Sequence, residues 1–257
     1  MNRIVFTGTA SGFPSPDRAC SSFVLQLGDK LYQFDAGEGF SNSVQRLKIN
    51  FNQITQVFIS HLHPDHITGI FLELQLMYLA GRRMPLEIYV PDEGVESLEK
   101  AARLFYLFKE KFPFVFHFVP IRPNPVFREK EFTLYAYHNR HLTPNQHIIE
   151  QTGAANLMQS YSYVVNLADK RILYSGDIKD ETDLDGVLEN IHTVITEGMH
   201  CDLEALADHC AEKKVKRLIV THLKQNQYAR PSALLKIAAQ YRGMKIMMAY
   251  DGLKLTI

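Results

Sequence analysis

Hydrophobic and polar positions alternate with a short period at the start of the chain and change to a helical period about a quarter of the way along. Residues 3–7, 22–27 and 31–34 read as strands, with Gly28-Asp29 as a hairpin turn in reversed order from the favoured Asp-Gly. A glycine-rich loop, Asp35-Ala36-Gly37-Glu38-Gly39, follows, and residues 40–48 suit a short helix. The β-branched stretch 55–60 predicts a strand that ends at a run of histidines. Over 67–82, Ile70, Leu74, Met77 and Tyr78 recur at spacings of three and four, which predicts a helix. Residues 86–90 form a strand stopped by Pro91, and 92–110 an amphipathic helix with Val95, Leu98, Ala102 and Phe105 on one face. Strands at 114–119 and 131–137 flank a proline-rich turn at 120–125, and 142–159 is polar with no clear period. A hairpin at 161–167 and 171–174 turns around Ala168-Asp169-Lys170. Short buried strands at 193–196 and 217–220 bracket a helix at 202–213. Residues 231–241 read as helix, and strands at 245–248 and 253–257 follow. No internal repeat, low-complexity segment or linker interrupts this order, so residues 1–257 read as a single domain. The strands come in antiparallel groups with helices between the groups, which fits α+β sheets covered by helices in layers.

Composition narrows the function classes. Hydrophobic residues make up 46% of the 257 residues, enough for a substantial core. Lys plus Arg and Asp plus Glu each number 28, so nothing supports a general nucleic-acid binder with its basic excess. Cys20, Cys201 and Cys210 are too few and too scattered for a disulfide framework and suit a reducing compartment. The first residues lack a signal-peptide pattern, and no apolar stretch approaches the roughly 20 residues of a membrane helix. These points predict a cytoplasmic protein without membrane contact.

The candidate chemistry begins at His61-Leu62-His63-Pro64-Asp65-His66. Pro64 and the preceding strand keep the whole run off one helix. An extended segment places His61 and His63 on one side, and a turn at Pro64 into a helix start sends Asp65 and His66 elsewhere. The result is two adjacent ligand clusters, and imidazole with carboxylate suits Zn, with Mn or Fe as alternatives. Other metal-ligand types stand just beyond short strands: His141, Asp177 in Tyr-Ser-Gly-Asp, and His222 in Val-Thr-His-Leu.

The loop Phe34-Asp35-Ala36-Gly37-Glu38-Gly39, the histidine run, Ser175-Gly176-Asp177, Thr221-His222-Leu223 and Ala249-Tyr250-Asp251-Gly252 together resemble the metallo-β-lactamase superfamily, and within it the ribonuclease Z-like branch. The resemblance spans essentially the whole chain. It implies a four-layer αββα sandwich and two divalent metal ions. His61, His63 and His141 would hold one ion, Asp65, His66 and His222 the other, and Asp177 would bridge them. Asp35 would orient the histidine loop. A metal-bridging hydroxide would attack the substrate, and Asp65 would help orient the attacking water. His141 fits the strand-then-ligand spacing better than His138 or His147. In that branch a histidine twenty-two positions before the last ligand protonates the leaving oxygen, supported by a glutamate. His200 stands twenty-two before His222, with Glu197 three before it. His117, His192, His209 and Cys210 read as incidental or structural.

Two departures from the branch matter. Bacterial ribonuclease Z carries a protruding, basic, tRNA-gripping arm, whereas here 120–130 joins two strands directly. The nineteen residues 142–160 exceed the family's few and read as a lid, a dimer contact, a specificity loop or a plain surface loop, with a homodimer among the expected partners. The leading expectation is a phosphodiesterase for a small or cyclic nucleotide or a short RNA. tRNA 3′-end processing is the second reading and needs a basic surface from Arg82, Arg83, Lys109, Lys111 and 213–217. A lactone or thioester hydrolase is the third. A non-enzymatic binder ranks last, since all seven ligand positions are filled.

Overall fold

The computed structural model describes residues 2–122, 125–224, 226, 232–241 and 243–257. It divides into two compact units, residues 1–121 with 250–257, and residues 122–249.

The first unit holds a seven-stranded sheet. Its strands are β1 (Arg3–Gly8), β2 (Ser22–Leu27), β3 (Lys30–Phe34), β4 (Ile54–Phe58), β5 (Leu86–Val90), β6 (Phe116–Pro120) and, returning from the end of the chain, β14 (Lys254–Thr256). The order is β14-β1-β2-β3-β4-β5-β6. Neighbours are antiparallel from β14 to β3 and parallel from β3 to β6. The helices α1 (Phe40–Arg46), α2 (Pro64–Ile67), α3 (Gly69–Leu79) and α4 (Val95–Leu104) fill the crossovers. Phe40 and Val44 of α1, Ile70, Leu74 and Met77 of α3, and Leu98 and Ala102 of α4 bury against Val24, Leu31, Ile54, Val57 and Ile88 of the sheet. Each of these side chains larger than alanine contributes about 1.5–3 kcal/mol by leaving water.

The second unit repeats the scheme. Its strands are β7 (Phe127–Arg128), β8 (Thr133–His138), β9 (Tyr161–Asn166), β10 (Arg171–Tyr174), β11 (Thr193–Glu197), β12 (Arg217–Thr221) and β13 (Lys245–Met248). They run in the order β13-β12-β11-β10-β9-β8-β7. β10 to β13 are parallel, and β7 to β10 antiparallel. The helices are α5 (Gln146–Thr152), α6 (Leu203–Glu212) and α7 (Ser232–Gln240). Leu206, Ala207 and Cys210 of α6 pack with Val164, Leu173, Val194 and Leu218.

Several sequence expectations are corrected. The strands form mixed sheets with long parallel runs rather than antiparallel groups alone. The helix expected over 67–82 is broken into α2 and α3, and Glu73 occupies the buried face where Tyr78, 38% exposed, was expected. The helix expected over 92–110 stops at Leu104, and Tyr106 takes φ 62°, which a helix cannot continue. Phe105 is therefore off the buried face, and its ring lies 4.9 Å from that of Phe71. The stretch 142–159 contains α5, which has no buried residue and so offered no hydrophobic period. Residue 231, expected at a helix start, lies outside the described residues.

Arg82 also departs from its expected place on a basic surface. It is 2% exposed, and its guanidinium donates to the carbonyls of Phe51, Asn52, Ile54, Met84 and Pro85 at 2.5–3.2 Å. Its five donors are used on backbone, so it ties loops together and offers nothing to a phosphate.

Candidate metal centre

In the first unit β4 ends at Phe58, and five residues on His63 has an extended backbone, φ −62° and ψ 144°. Proline forces that extension on the residue before it. Pro64 then opens α2, where its missing N–H costs nothing, and Asp65 and His66 follow in that turn. His61 and His66 are fully buried, and His61's ring lies 4.7 Å from that of His63 and 4.2 Å from that of His66. His66 Nε2 is 3.5 Å from Asp65 Oδ2. Ligating atoms of His61 and His63 lie within 4.8 Å of one another, as do those of Asp65 and His66.

Asp35 organises this group from β3's end. Its φ of 55° is a strained value for a non-glycine residue, and its N–H donates to Phe58 O at 2.9 Å. The buried carboxylate accepts from Ser60 N at 2.6 Å, Ser60 Oγ at 2.9 Å and His66 Nδ1 at 2.7 Å. An ionised carboxylate only accepts, so the His66 proton sits on Nδ1 and the Nε2 lone pair is the metal-binding one. Ser60 Oγ, having donated to Asp35, accepts from His61 Nδ1 at 3.0 Å and gives His61 the same tautomer. Ser60 carries no signal in the sequence beyond standing next to His61.

Glycines let this loop sit close. A Cβ on Gly37 would lie 2.4 Å from Asp65 O, and one on Gly69 would lie 2.2 Å from Gly37 O. Both contacts are backbone on backbone, where no side chain fits. They carry the bonds Ala36 N to His66 O, 2.7 Å, and Gly69 N to Ala36 O, 2.8 Å.

In the second unit the chemistry lies beyond the C-terminal ends of β8, β10, β11 and β12. His141, 9% exposed, has Nε2 3.7 Å from Asp177 Oδ2, and His222 Nε2 is 3.5 Å from the same oxygen. His222 follows β12 with φ 51°, a strained backbone at a candidate ligand. Asp177 Oδ2 thus faces the imidazoles of both His141 and His222.

His200 joins them. Its ring lies 5.0 Å from that of His141 and 6.4 Å from that of His222. Its Nδ1 is 3.3 Å from Glu197 Oε1. Glu197 is 1% exposed and its carboxylate also accepts from the N–H groups of Met199 and His200. The hydrogen bond to Glu197 holds the His200 imidazole above its ordinary range. Five further histidines have other surroundings. His138, exposed at the end of β8, has its ring 4.4 Å from that of Tyr161 at a tilt of 41°. His147 bonds Pro144 O, His192 bonds Thr193, His209 pairs with Asp185 at 3.2 Å, and His117 is exposed.

Imidazoles with proton positions fixed by a carboxylate, beside further carboxylates, form a donor set suited to a divalent cation. Asn139, Arg140 and Asp183, which tie the His141 loop in place, were not singled out in the sequence.

The two units' sheets and these strand-end donors define a metallo-β-lactamase fold of the ribonuclease Z-like kind. The short form of human tRNase Z superposes with a TM-score of 0.75 at 20% identity, covering 99% of each chain. YhfI from Bacillus subtilis, a metallo-β-lactamase fold protein, gives 0.77 at 19% identity, covering 99% of this chain and 98% of that one. The α+β, metallo-β-lactamase-like fold expected from the sequence is borne out by these matches. Ribonuclease Z of Crocosphaera subtropica is 35% identical over 143 residues, 55% of this chain and 45% of that protein. The match thus spans about half the length of that curated relative. The family model of the anti-Pycsar protein Apyc1 matches residues 2–240, and the chain belongs to that family. Among the described residues no helix is long and apolar enough to cross a membrane.

Proposed function

We propose that the chain is a dinuclear metal-dependent phosphodiesterase acting on a small or cyclic nucleotide, its two units serving one hydrolase domain. His61, His63 and His141 would hold one ion, Asp65, His66 and His222 the second, and Asp177 would bridge them. Zinc is the ion favoured by this set of imidazoles and carboxylates. A bound pair of divalent ions supplies Lewis acidity toward a phosphoryl oxygen and lowers the pKa of water.

The observation that carries the reading is the His200–Glu197 pair beside Asp177 and His222. Attack of water on a phosphodiester breaks a P–O ester bond and expels an alkoxide, which needs a proton. His200, partly exposed and held by a buried carboxylate, delivers it to the leaving oxygen. Glu197 fixes the ring through Nδ1, so Nε2 carries the transferred proton. Asp65, at the start of α2, accepts a hydrogen bond from the attacking water and orients it. Asp35 and Ser60 hold His66 and His61 as ligands rather than acids.

The small-substrate choice rests on the short connection from β6 to β7. Only residues 121–126 lie between these strands, too few for an extended RNA-gripping arm. Burial of Arg82 also removes one cation from the surface that RNA would need. The family description names an anti-Pycsar role, which we carry to this chain as part of the proposal. A side-by-side assay on cyclic nucleotides, a bis-aryl phosphate and precursor tRNA tests it. Hydrolysis of the nucleotide and the aryl ester is expected. Cleavage of precursor tRNA with no action on cyclic nucleotides would replace this reading with tRNA 3′-end processing. Absence of metal in protein loaded with zinc or manganese would end it.

A further inference from the structure

His141 follows β8 after two residues, Asn139 and Arg140, whose side chains are both committed to the segment that carries Asp177. Arg140 Nε donates to Asp183 Oδ1 at 2.6 Å, and its Nη2 donates to Asp180 Oδ1 at 2.8 Å and to Thr182 Oγ1 at 2.7 Å. Its backbone N–H reaches Asp183 Oδ2 at 3.2 Å, and that oxygen also accepts from Lys179 N at 2.8 Å. Asp183 is 2% exposed in its side chain, although Arg140 is half exposed. On the inner side Asn139, 7% exposed, accepts from His141 N at 3.2 Å through Oδ1. Its Nδ2 donates to Ser162 Oγ at 3.2 Å and to Ser175 O at 3.4 Å. Ser175 precedes Asp177 by two residues and Asp183 follows it by six. The segment bearing Asp177 is therefore fastened on both sides to the two residues preceding His141.

We infer that Arg140 is a positioning residue whose pairing with Asp183 sets the spacing of His141 and Asp177 before a metal arrives. The inference rests on the two-metal reading above. An isolated surface ion pair contributes little to stability. A guanidinium fork shared among three partners, one of them buried, fixes geometry instead. Its loss thus acts on metal affinity far more than on folding. Removing an outer hydrogen-bond partner of a ligand shell costs about 10–100-fold in metal affinity.

The test is zinc titration of metal-free protein against a chromophoric chelator, with wild type, Arg140→Ala, Arg140→Lys and Asp183→Asn side by side. Wild type is expected to take up about two ions per chain. Arg140→Ala and Asp183→Asn are expected to hold one of them about 10–100-fold more weakly. Arg140→Lys, which keeps the charge without the planar fork, falls between, and it carries the comparison if Arg140→Ala does not fold. The melting temperatures of the metal-free proteins should stay close together. Equal zinc affinity in the variants and the wild type overturns the inference and leaves the two-metal reading standing. A wild type that binds no zinc overturns both.

Discussion

Asp35 decides which nitrogen of His66 faces a metal, since its carboxylate accepts from the Nδ1–H at 2.7 Å and, through Ser60, sets His61 the same way. Asp35→Asn is close to isosteric, but its amide can donate toward His66 Nδ1 and turn the tautomer round. Zinc affinity in chelator competition should fall about 10–100-fold while the far-ultraviolet circular dichroism stays unchanged. Unaltered affinity would mean that ring orientation is set elsewhere. His200 makes the opposite case, a residue argued to move a proton rather than hold an ion. His200→Ala should keep its metal and slow bis-aryl phosphate hydrolysis about 10²–10⁴-fold, with a larger loss on an alkyl ester whose leaving group needs the proton more. Equal rates on both esters would remove His200 from the reaction. At this scale the sequence was informative for donors and poor for their supports. Each of the seven candidate ligands is a metal-binding residue type just past a short apolar stretch. Ser60 and Asn139 are ordinary polar residues whose role exists only in three dimensions.

Strand ends place the chemistry, and the loops after them are shaped by what fits rather than by what is hydrophobic. Gly37 and Gly69 show this, because their backbones meet where any Cβ would collide with a carbonyl. Gly37→Ala should destabilise the fold by about 1–3 kcal/mol, the usual range for overpacking, read as a lower urea midpoint at unchanged slope. It should also weaken zinc binding, since the group pressed aside is the backbone of Asp65. A stable variant with intact zinc affinity would show that the loop has slack. Elements with an apolar face were legible from periodicity, as α6 was, with Leu206, Ala207 and Cys210 turned inward. α5 was hidden because no residue of it is buried. α4 was overextended because Phe105 completed its apolar spacing, although the chain turns at Tyr106. A period reports which side chains want burial and says less about where the backbone stops.

Across the whole molecule, the parallel runs within each sheet were the least legible feature. Strands covered on both faces read as short apolar stretches without alternation, so pairing direction leaves no mark in the pattern. The buried titratable groups left no mark either, and one of them sets a global property. Glu73 lies fully buried on the core face of α3. Gln33 Nε2 donates to its Oε2 at 3.0 Å, and that bond and the Arg82 charge only partly offset the burial. Burial raises the Glu73 carboxyl from 4.5 to about 8. The unfolded chain therefore releases this proton near pH 4.5 while the folded chain keeps it until about 8. The stability that neutral Glu73 permits is fully present below pH 4.5, declines as pH rises through that window, and levels off above it. Glu73→Gln keeps an acceptor for Gln33 and removes the titration. Its stability relative to wild type should thus rise by about 1 kcal/mol per pH unit between pH 5 and 8. Urea unfolding of both proteins at pH 5, 6.5 and 8 measures it. A gap between the two that does not change with pH would show that Glu73 is ionised in the fold, with Arg82 near enough to hold it so.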